Sequence, residues 1–347
     1  MESGSTLSSF RKKEILSFLD DQVEGSFLER YIKPPLEIGI ISGGGSDRSF
    51  YRIKGRNRSF ILMVSPAEDG GFRDYIDIAQ FLKRIGVNVP EIYFANLQKK
   101  FLLMEDVGDE SLYLKFQKGI SEEETMFWYR KVVETLVYMQ VEGGKKWSDC
   151  PPLHHRKFDY HALRWETEYF QKYFLEKYCR VSIPNKEKLE QEFRVLAEKV
   201  SKEPYYFMHR DFQSQNIMIH EGNLRILDFQ GGRRGLLHYD LASILKDAYV
   251  VLPKKLQKYL LNFYLEKLTE KGIRIDDYGQ FYETFTLAGL QRNMQALGAF
   301  SYLSLVKGKI WFRQFIPSGV NYLNQTLKER RDFPFLASLI EKISRLF

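Results

Sequence analysis

The spacing of apolar positions changes character along the chain, and each change predicts a different kind of element. Residues 7–32 carry Leu7, Phe10, Ile15, Leu16 and Phe18 at helical spacing, which predicts one amphipathic helix or two short ones. From residue 36 the pattern turns strand-like. LEIGII, SFYRIKG and SFILMVS are short runs rich in β-branched and aromatic residues, joined by the turn GGGSDR and a polar turn at 55–58, so they predict an antiparallel meander. Residues 72–85 place Phe72, Ile76, Ala79, Phe81 and Leu82 at helical spacing, and Gly86 ends that helix. Two more strands, EIYFA and KFLLMED, follow around a turn at 96–99.

Beyond about residue 110 the period is helical almost throughout, over 121–141, 158–179, 186–202, 238–248, 253–271, 276–305 and 335–346. The strand-like runs of this half are 216–219 and 224–227, split by the turn HEGN. The expected fold is therefore α+β and two-lobed. An N-terminal lobe, residues 1–107, has an antiparallel sheet and one main helix, and a larger helical lobe covers 108–347.

Polar residues gather around that small hairpin, in FMHRDFQSQNIMIHEGNLRILDFQ at 207–230. Asp211 and Asn216 sit on the loop before it and Asp228 on the loop after it. Phosphoryl transfer needs an in-line acceptor, positive charge on the phosphate oxygens and a group that positions the attacking hydroxyl. A carboxylate and an amide oxygen on one side of a hairpin form a partial shell for a hard cation, so Asn216 and Asp228 suit Mg2+. Asp211 is then left to face the hydroxyl as base or orienting group. Each residue alone reads as an ordinary cap or turn former; the three in this order favour phosphoryl transfer. His209 reads as a structural residue of the loop, and Arg210 as a partner for acidic or backbone groups nearby.

HRDFQSQN followed by ILDFQ resembles the catalytic and metal-binding loops of the aminoglycoside phosphotransferase branch of the protein-kinase-like fold. GSDRSFYRI, FILMVSPAED, VPEIYF, FLLMEDVG, HYDLASILKDAY and QRNMQALGAFSYL, in that order over residues 40–325, are similar to the bacterial cell-wall amino-sugar kinases. Those enzymes phosphorylate N-acetylmuramate and N-acetylglucosamine at the anomeric hydroxyl. The resemblance implies an ATP-dependent sugar kinase using Mg2+, with Asp211 as catalytic base and Asn216 and Asp228 holding the metal. It also implies that Gly44, Gly45 and Ser46 cover the nucleotide phosphates through backbone N–H groups, and that Glu105 and Val107 belong to the hinge that meets the adenine.

One departure stands out. Kinase-like enzymes place a Lys on the third strand to hold the phosphates, and this chain has Met63 there. Another cation is needed, and Arg48, Arg52 and Lys54 lie on or beside the glycine-rich hairpin; Arg52 is assigned to the nucleotide. Gln230, in place of the usual glycine, argues against a mobile regulatory switch. For the acceptor, Gln291, Arg292 and Asn293 form a polar cluster in an apolar helix, and Arg233 and Arg234 are placed to meet a carboxylate such as the lactyl group of muramate. Arg234 and Arg292 are the acceptor candidates. Trp165, Tyr169 and Phe170 read as core.

Composition narrows the partners. Lys and Arg number 52 against 45 Asp and Glu, a net charge of +7 spread along the chain, which suits an anionic ligand. No basic cluster interleaves with aromatics, so nucleic acid is not expected. No segment reaches the ~20 apolar residues of a membrane span, and the first residues lack the apolar core of a secretory signal. Cys150 and Cys179 alone predict reduced thiols in the cytoplasm. A monomer is the default. Two rival readings remain: a phosphotransferase for an aminoglycoside, choline, homoserine or another sugar, and a pseudokinase-like binding protein, for which Met63 is the argument.

Overall fold

Register explains how the first lobe forms. Strands β1 (Glu37–Ile41), β2 (Ser49–Lys54), β3 (Ser59–Val64), β4 (Ile92–Asn96) and β5 (Phe101–Glu105) pair antiparallel in the order β1-β2-β3-β5-β4. Alternation sends Tyr51, Ile53, Phe60, Leu62 and Leu103 to one face, where Ile15, Phe18 and Leu19 of α1 (Ser9–Val23) close a small core over them. Phe50, Arg52, Ile61 and Met63 occupy the opposite face, with Phe50 across from Met63 and Arg52 across from Ile61. Met63 is fully buried there, in one core with α2 (Phe72–Arg84) and the helical lobe. This computed structural model describes residues 9–23, 26, 28–29, 31–32, 36–41, 45, 47–55 and 57–347.

The helical lobe comprises α3 (Leu112–Gln117), α4 (Glu122–Lys145), α5 (Pro151–His155), α6 (Tyr160–Phe170), α7 (Lys186–Val200), α8 (Leu237–Leu245), α9 (Lys254–Glu270), α10 (Tyr278–Leu305), α11 (Ile316–Lys328) and α12 (Pro334–Ser344). Polar side chains fix where several begin. Ser111, Ser121, Asp159, Asn185 and Asp277 each accept a backbone N–H from the first turn of α3, α4, α6, α7 and α10. The 28-residue α10 runs through the middle, its segment Leu287–Gly298 buried on every side. Gly319 lets α11 lie against it, since a Cβ there would meet Leu297 at 2.9 Å.

Two short antiparallel pairs complete the lobe: β6 (Tyr206–Met208) with β9 (Arg233–Gly235), and the expected hairpin β7 (Ile217–His220) with β8 (Asn223–Ile226). The helix expected over 158–179 stops being α-helical at Phe170 and widens to a π-helix over 171–178. Cys179 N–H closes that π-helix on the Phe174 carbonyl, five residues back (2.9 Å).

One buried group makes the fold sensitive to acid. The His238 ring lies in α8, 4.2 Å from Phe281, with neither nitrogen bonded to any described residue. Burial pushes its pKa from 6.5 down to about 3, so the folded ring is neutral. Below pH 6.5 the unfolded chain takes up a proton that the folded chain refuses, and stability falls by up to ~1.4 kcal/mol per pH unit. His238→Phe is expected to lose less stability between pH 7 and pH 5 than the parent in urea titrations. Equal losses would show that the ring is charged or accessible in the fold.

Candidate active site

The sheet face bearing Phe50 and Ile61 and the helical lobe enclose a cleft of about 1140 Å3. On its floor lies the loop from His209 to Asn216, between β6 and β7. Its backbone is held from beneath by two buried carboxylates. Asp240 accepts the N–H of His209 (2.6 Å) and of Arg210 (2.8 Å), and Asp247 accepts the N–H of Ser214 (2.8 Å) and Tyr249 (3.0 Å). Asp240 lies within α8 and Asp247 two residues past its last residue, Leu245. Burial pushes Asp240 up to about 7, against the two backbone donors that favour its ionised form.

The rest of the loop is equally constrained. Arg210 has a left-handed backbone (φ 79°), and its guanidinium meets the buried Glu166 (3.3 Å), which also accepts the Tyr239 hydroxyl (2.9 Å). Burial lowers His209 to about 4, and its Nε2 bonds the Leu227 carbonyl oxygen (2.9 Å), tying the loop to the end of the hairpin. His209 and Arg210 are thus structural members of the loop.

Asp211, Asn216 and Asp228 come together on the cleft wall. Asn216 donates its amide nitrogen to the Asp211 carbonyl (2.9 Å) and to Asp228 Oδ2 (3.4 Å), which leaves its amide oxygen for a cation. Asp228 has a left-handed backbone (φ 60°) and accepts from Gln230 Nε2 (2.5 Å). Burial, then the neighbouring charge of Asp211, push its pKa upward. A hard cation fits these residues: the donors are oxygens, and the Asp211 charge raises the cost of ionising Asp228. The described residues contain no cluster of three or more His, Cys, Asp or Glu suited to a metal, so phosphate oxygens and water would complete the shell.

Arg292 reaches the same loop from α10. It donates to Ser243 Oγ (2.9 Å), Gln295 Oε1 (2.5 Å) and Gln213 Oε1 (2.7 Å), and its guanidinium lies 3.8 Å from Asp211 Oδ1. The small Ala296 and Ala299 and the half-exposed Trp311 extend this wall.

Other candidates fall elsewhere. Arg52 lines the cleft and is clasped by Asp109 (2.8 and 2.9 Å) and Asp106 (3.0 Å), which ties β2 to the segment after β5. Lys54 pairs with Glu37 on the exposed rim (2.9 Å). Glu105 and Val107 both line the cleft, yet the Glu105 carboxylate is held by Arg225 (3.3 Å) and its N–H by the Glu91 carbonyl (2.8 Å). Gly45 also lines it, 3.5 Å from Leu303 for an added Cβ, while Gly44 and Ser46 lie outside the described residues.

Arg234 turns away from the cleft, its guanidinium 4.1 Å from the Trp147 ring and bonded to the His154 carbonyl (2.9 Å). The alternation of β9 puts its neighbour Arg233 on the other side. There the charge of Asp211 acts on Arg233, although burial and then Arg210 lower its pKa to about 10. Phe170 is core as expected, but Trp165 is 52% exposed and stacks on Tyr169 (5.1 Å, 14°).

Sequence reasoning overlooked Asp240 and Asp247. A signal was present: two carboxylates in the largely apolar run HYDLASILKD need buried partners.

A five-stranded antiparallel sheet over a helical lobe, with this loop between them, defines a protein-kinase-like phosphotransferase. The chain belongs to the Phosphotransferase enzyme family, which it matches over residues 37–274, and it transfers a phosphoryl group to a hydroxyl acceptor. Among named relatives it is similar to the N-acetylmuramate/N-acetylglucosamine kinase of Pseudomonas aeruginosa, 28% identical over 317 residues, 90% of this chain and 89% of that one. The enzyme of the same name from Neisseria meningitidis is 24% identical, covering 82% and 84%. Among solved structures, choline kinase from Cryptosporidium parvum shares the fold with a TM-score of 0.65 at 14% identity, covering 95% of this chain and 99% of that one. The streptomycin–ATP complex of APH(2″)-IIa aligns with a TM-score of 0.57 at 16% identity, covering 89% and 97%. No described helix is long and apolar enough to cross a membrane.

Removing Asp240 strands two buried N–H donors at ~1–3 kcal/mol each. Asp240→Ala is therefore expected to lose roughly 2–5 kcal/mol in urea unfolding, with Asp240→Asn, which keeps one acceptor oxygen, in between. A variant as stable as the parent would mean that water or another group satisfies the loop.

Proposed function

We propose that this chain moves the γ-phosphate of ATP to the anomeric hydroxyl of N-acetylmuramate or N-acetylglucosamine, a cytoplasmic step of cell-wall recycling. The observation that carries the acceptor class is the wall beside Asp211. It offers the guanidinium of Arg292, the amides of Gln213 and Gln295 and the ring of Trp311, and Asp47, a carboxylate that lines the same cleft, is paired with Lys307. Amides and a flat aromatic suit a neutral or acidic N-acetylated sugar. Polycationic aminoglycosides and choline call for carboxylates or an aromatic cage. The names of the Pseudomonas and Neisseria relatives favour the same acceptors.

In this reading residues 1–107 seat the nucleotide and 108–347 the sugar. Asp211 accepts the hydroxyl hydrogen and aims the oxygen at the γ-phosphorus; the new O–P bond forms as the bond to the β–γ bridging oxygen breaks and ADP leaves. Mg2+ on Asn216 and Asp228 would neutralise the phosphate oxygens. Arg292 and Gln213 fix the rotamer of the catalytic side of the loop, so the sugar meets a preorganised carboxylate.

An ATP-consumption screen over amino sugars, aminoglycosides, choline, homoserine and simple sugars tests the proposal, with the phosphate position read by NMR. An N-acetylated amino sugar carrying phosphate on C1 is the expected product. A better aminoglycoside or choline acceptor would sink the reading. Asp211→Asn is expected to lower kcat for the best acceptor by about 10²- to 10⁴-fold without unfolding the chain; an unchanged kcat would remove Asp211 from the reaction.

A further inference from the structure

One aromatic cluster has no part in the reaction. Trp165, Tyr169 and Tyr173 stand four residues apart, so their side chains follow one another along α6 and the π-helix that continues it. The Trp165 and Tyr169 rings are close to parallel (5.1 Å, 14°), Tyr173 follows Tyr169 at 4.7 Å, and Tyr302 of α10 meets both tyrosines (5.9 and 5.0 Å). Four rings serving only as core would be closed to water. Here Trp165 is 52% exposed and the three tyrosines are only half-buried. The hydroxyls of Tyr169, Tyr173 and Tyr302 bond no described residue.

This ladder of rings starts at the catalytic loop and continues beside α10. The guanidinium of Arg210, the residue before Asp211, lies 5.8 Å from the Trp165 ring. Tyr169 packs on α10 at Gly298, where an added Cβ would meet its ring at 2.8 Å. Gln295 and Ala299, three residues before Gly298 and one after it, line the cleft. Tyr302 lies seven residues past Gln295 within α10, two turns further along the same side of the helix. The rings therefore border the wall that holds Arg292 and Gln295.

Open flat rings with unpaired phenol hydroxyls suit a pyranose, whose C–H faces pack on the rings while its hydroxyls take the hydrogen bonds. Lys172 and Lys177 both lie over the Tyr173 ring (5.2 and 5.0 Å) and oppose a polycationic occupant. With the C1 hydroxyl of the acceptor at Asp211, the oxygen on C4 leaves from the far end of the sugar ring. We propose that the ladder is a second sugar subsite, which holds the next ring of a β-1,4-linked N-acetylated amino-sugar oligosaccharide while the reducing-end ring sits at Asp211. The chemical step is unchanged: the reducing-end C1 oxygen gains the γ-phosphate, its hydrogen passes to Asp211 and ADP leaves. The inference rests on the amino-sugar reading of the acceptor.

Steady-state kinetics of the full chain with ATP and either N-acetylglucosamine or N,N′-diacetylchitobiose, its β-1,4-linked dimer, tests the subsite. The dimer is expected to exceed the monosaccharide in kcat/KM by about 5- to 20-fold, chiefly through a lower KM. Trp165→Ala should remove most of that gain and change the monosaccharide less than about twofold, with Trp165→Phe in between. Monosaccharide turnover by each variant reports an intact fold. A parent that gains nothing from the second ring overturns the proposal. So does a Trp165→Ala variant that keeps the preference for the dimer, or one that loses both acceptors alike. Where N-acetylglucosamine is phosphorylated and the dimer gives no gain, the subsite alone fails; where neither sugar takes phosphate, the amino-sugar reading falls and the subsite with it.

Discussion

Two carboxylates buried beneath a loop are the constraint on which the rest of this molecule depends. A loop that brings Asp211, Gln213 and Asn216 to a cleft floor has backbone N–H groups facing inward, away from water, and each would be costly without an acceptor. Asp240, within the buried α8, and Asp247, just past its end, provide those acceptors. The helix is largely apolar because it fills the core, and an acidic residue stands within it and another just after it because the loop sits on top of them. Arg292 then binds the loop from α10, so three separated stretches of sequence converge on eight residues.

The sheet lobe meets this floor through charge. Arg52 joins β2 to Asp106 and Asp109 at the hinge, and Lys307, just past α10, bonds Asp47 at the end of the glycine-rich turn (2.9 Å). Gly45 approaches Leu303 on the same side. The exposed ion pair contributes little by itself. The helical lobe thus shares in forming both ends of the cleft, while the buried Met63 joins the two lobes in one core.

Much of this was legible in the chain. Period-two runs gave the five strands, and helical spacing with a glycine stop gave α2, because long amphipathic segments state their own geometry. The hairpin placed Asp211, Asn216 and Asp228 on adjacent loops, since a turn of four residues leaves its flanking loops side by side. α11 escaped because Pro317, Ser318 and Gly319 look like a turn, although proline suits a first helical turn and the glycine serves packing. β6 and β9 are three residues each, too short for any period to register. The cations could not be sorted from sequence: Arg52 and Lys54 share one face of β2, and only their acidic partners, 57 and 17 residues away, distinguish them. Arg233 and Arg234 differ only by the side of β9 they leave.

Amide-resolved hydrogen exchange on the ligand-free chain tests the central claim most directly. If the buried carboxylates hold the loop, the amides of His209, Arg210 and Ser214 exchange only with unfolding of the helical core, as slowly as amides inside α8. Exchange of those three as fast as the exposed turn at Gly222 would contradict the account.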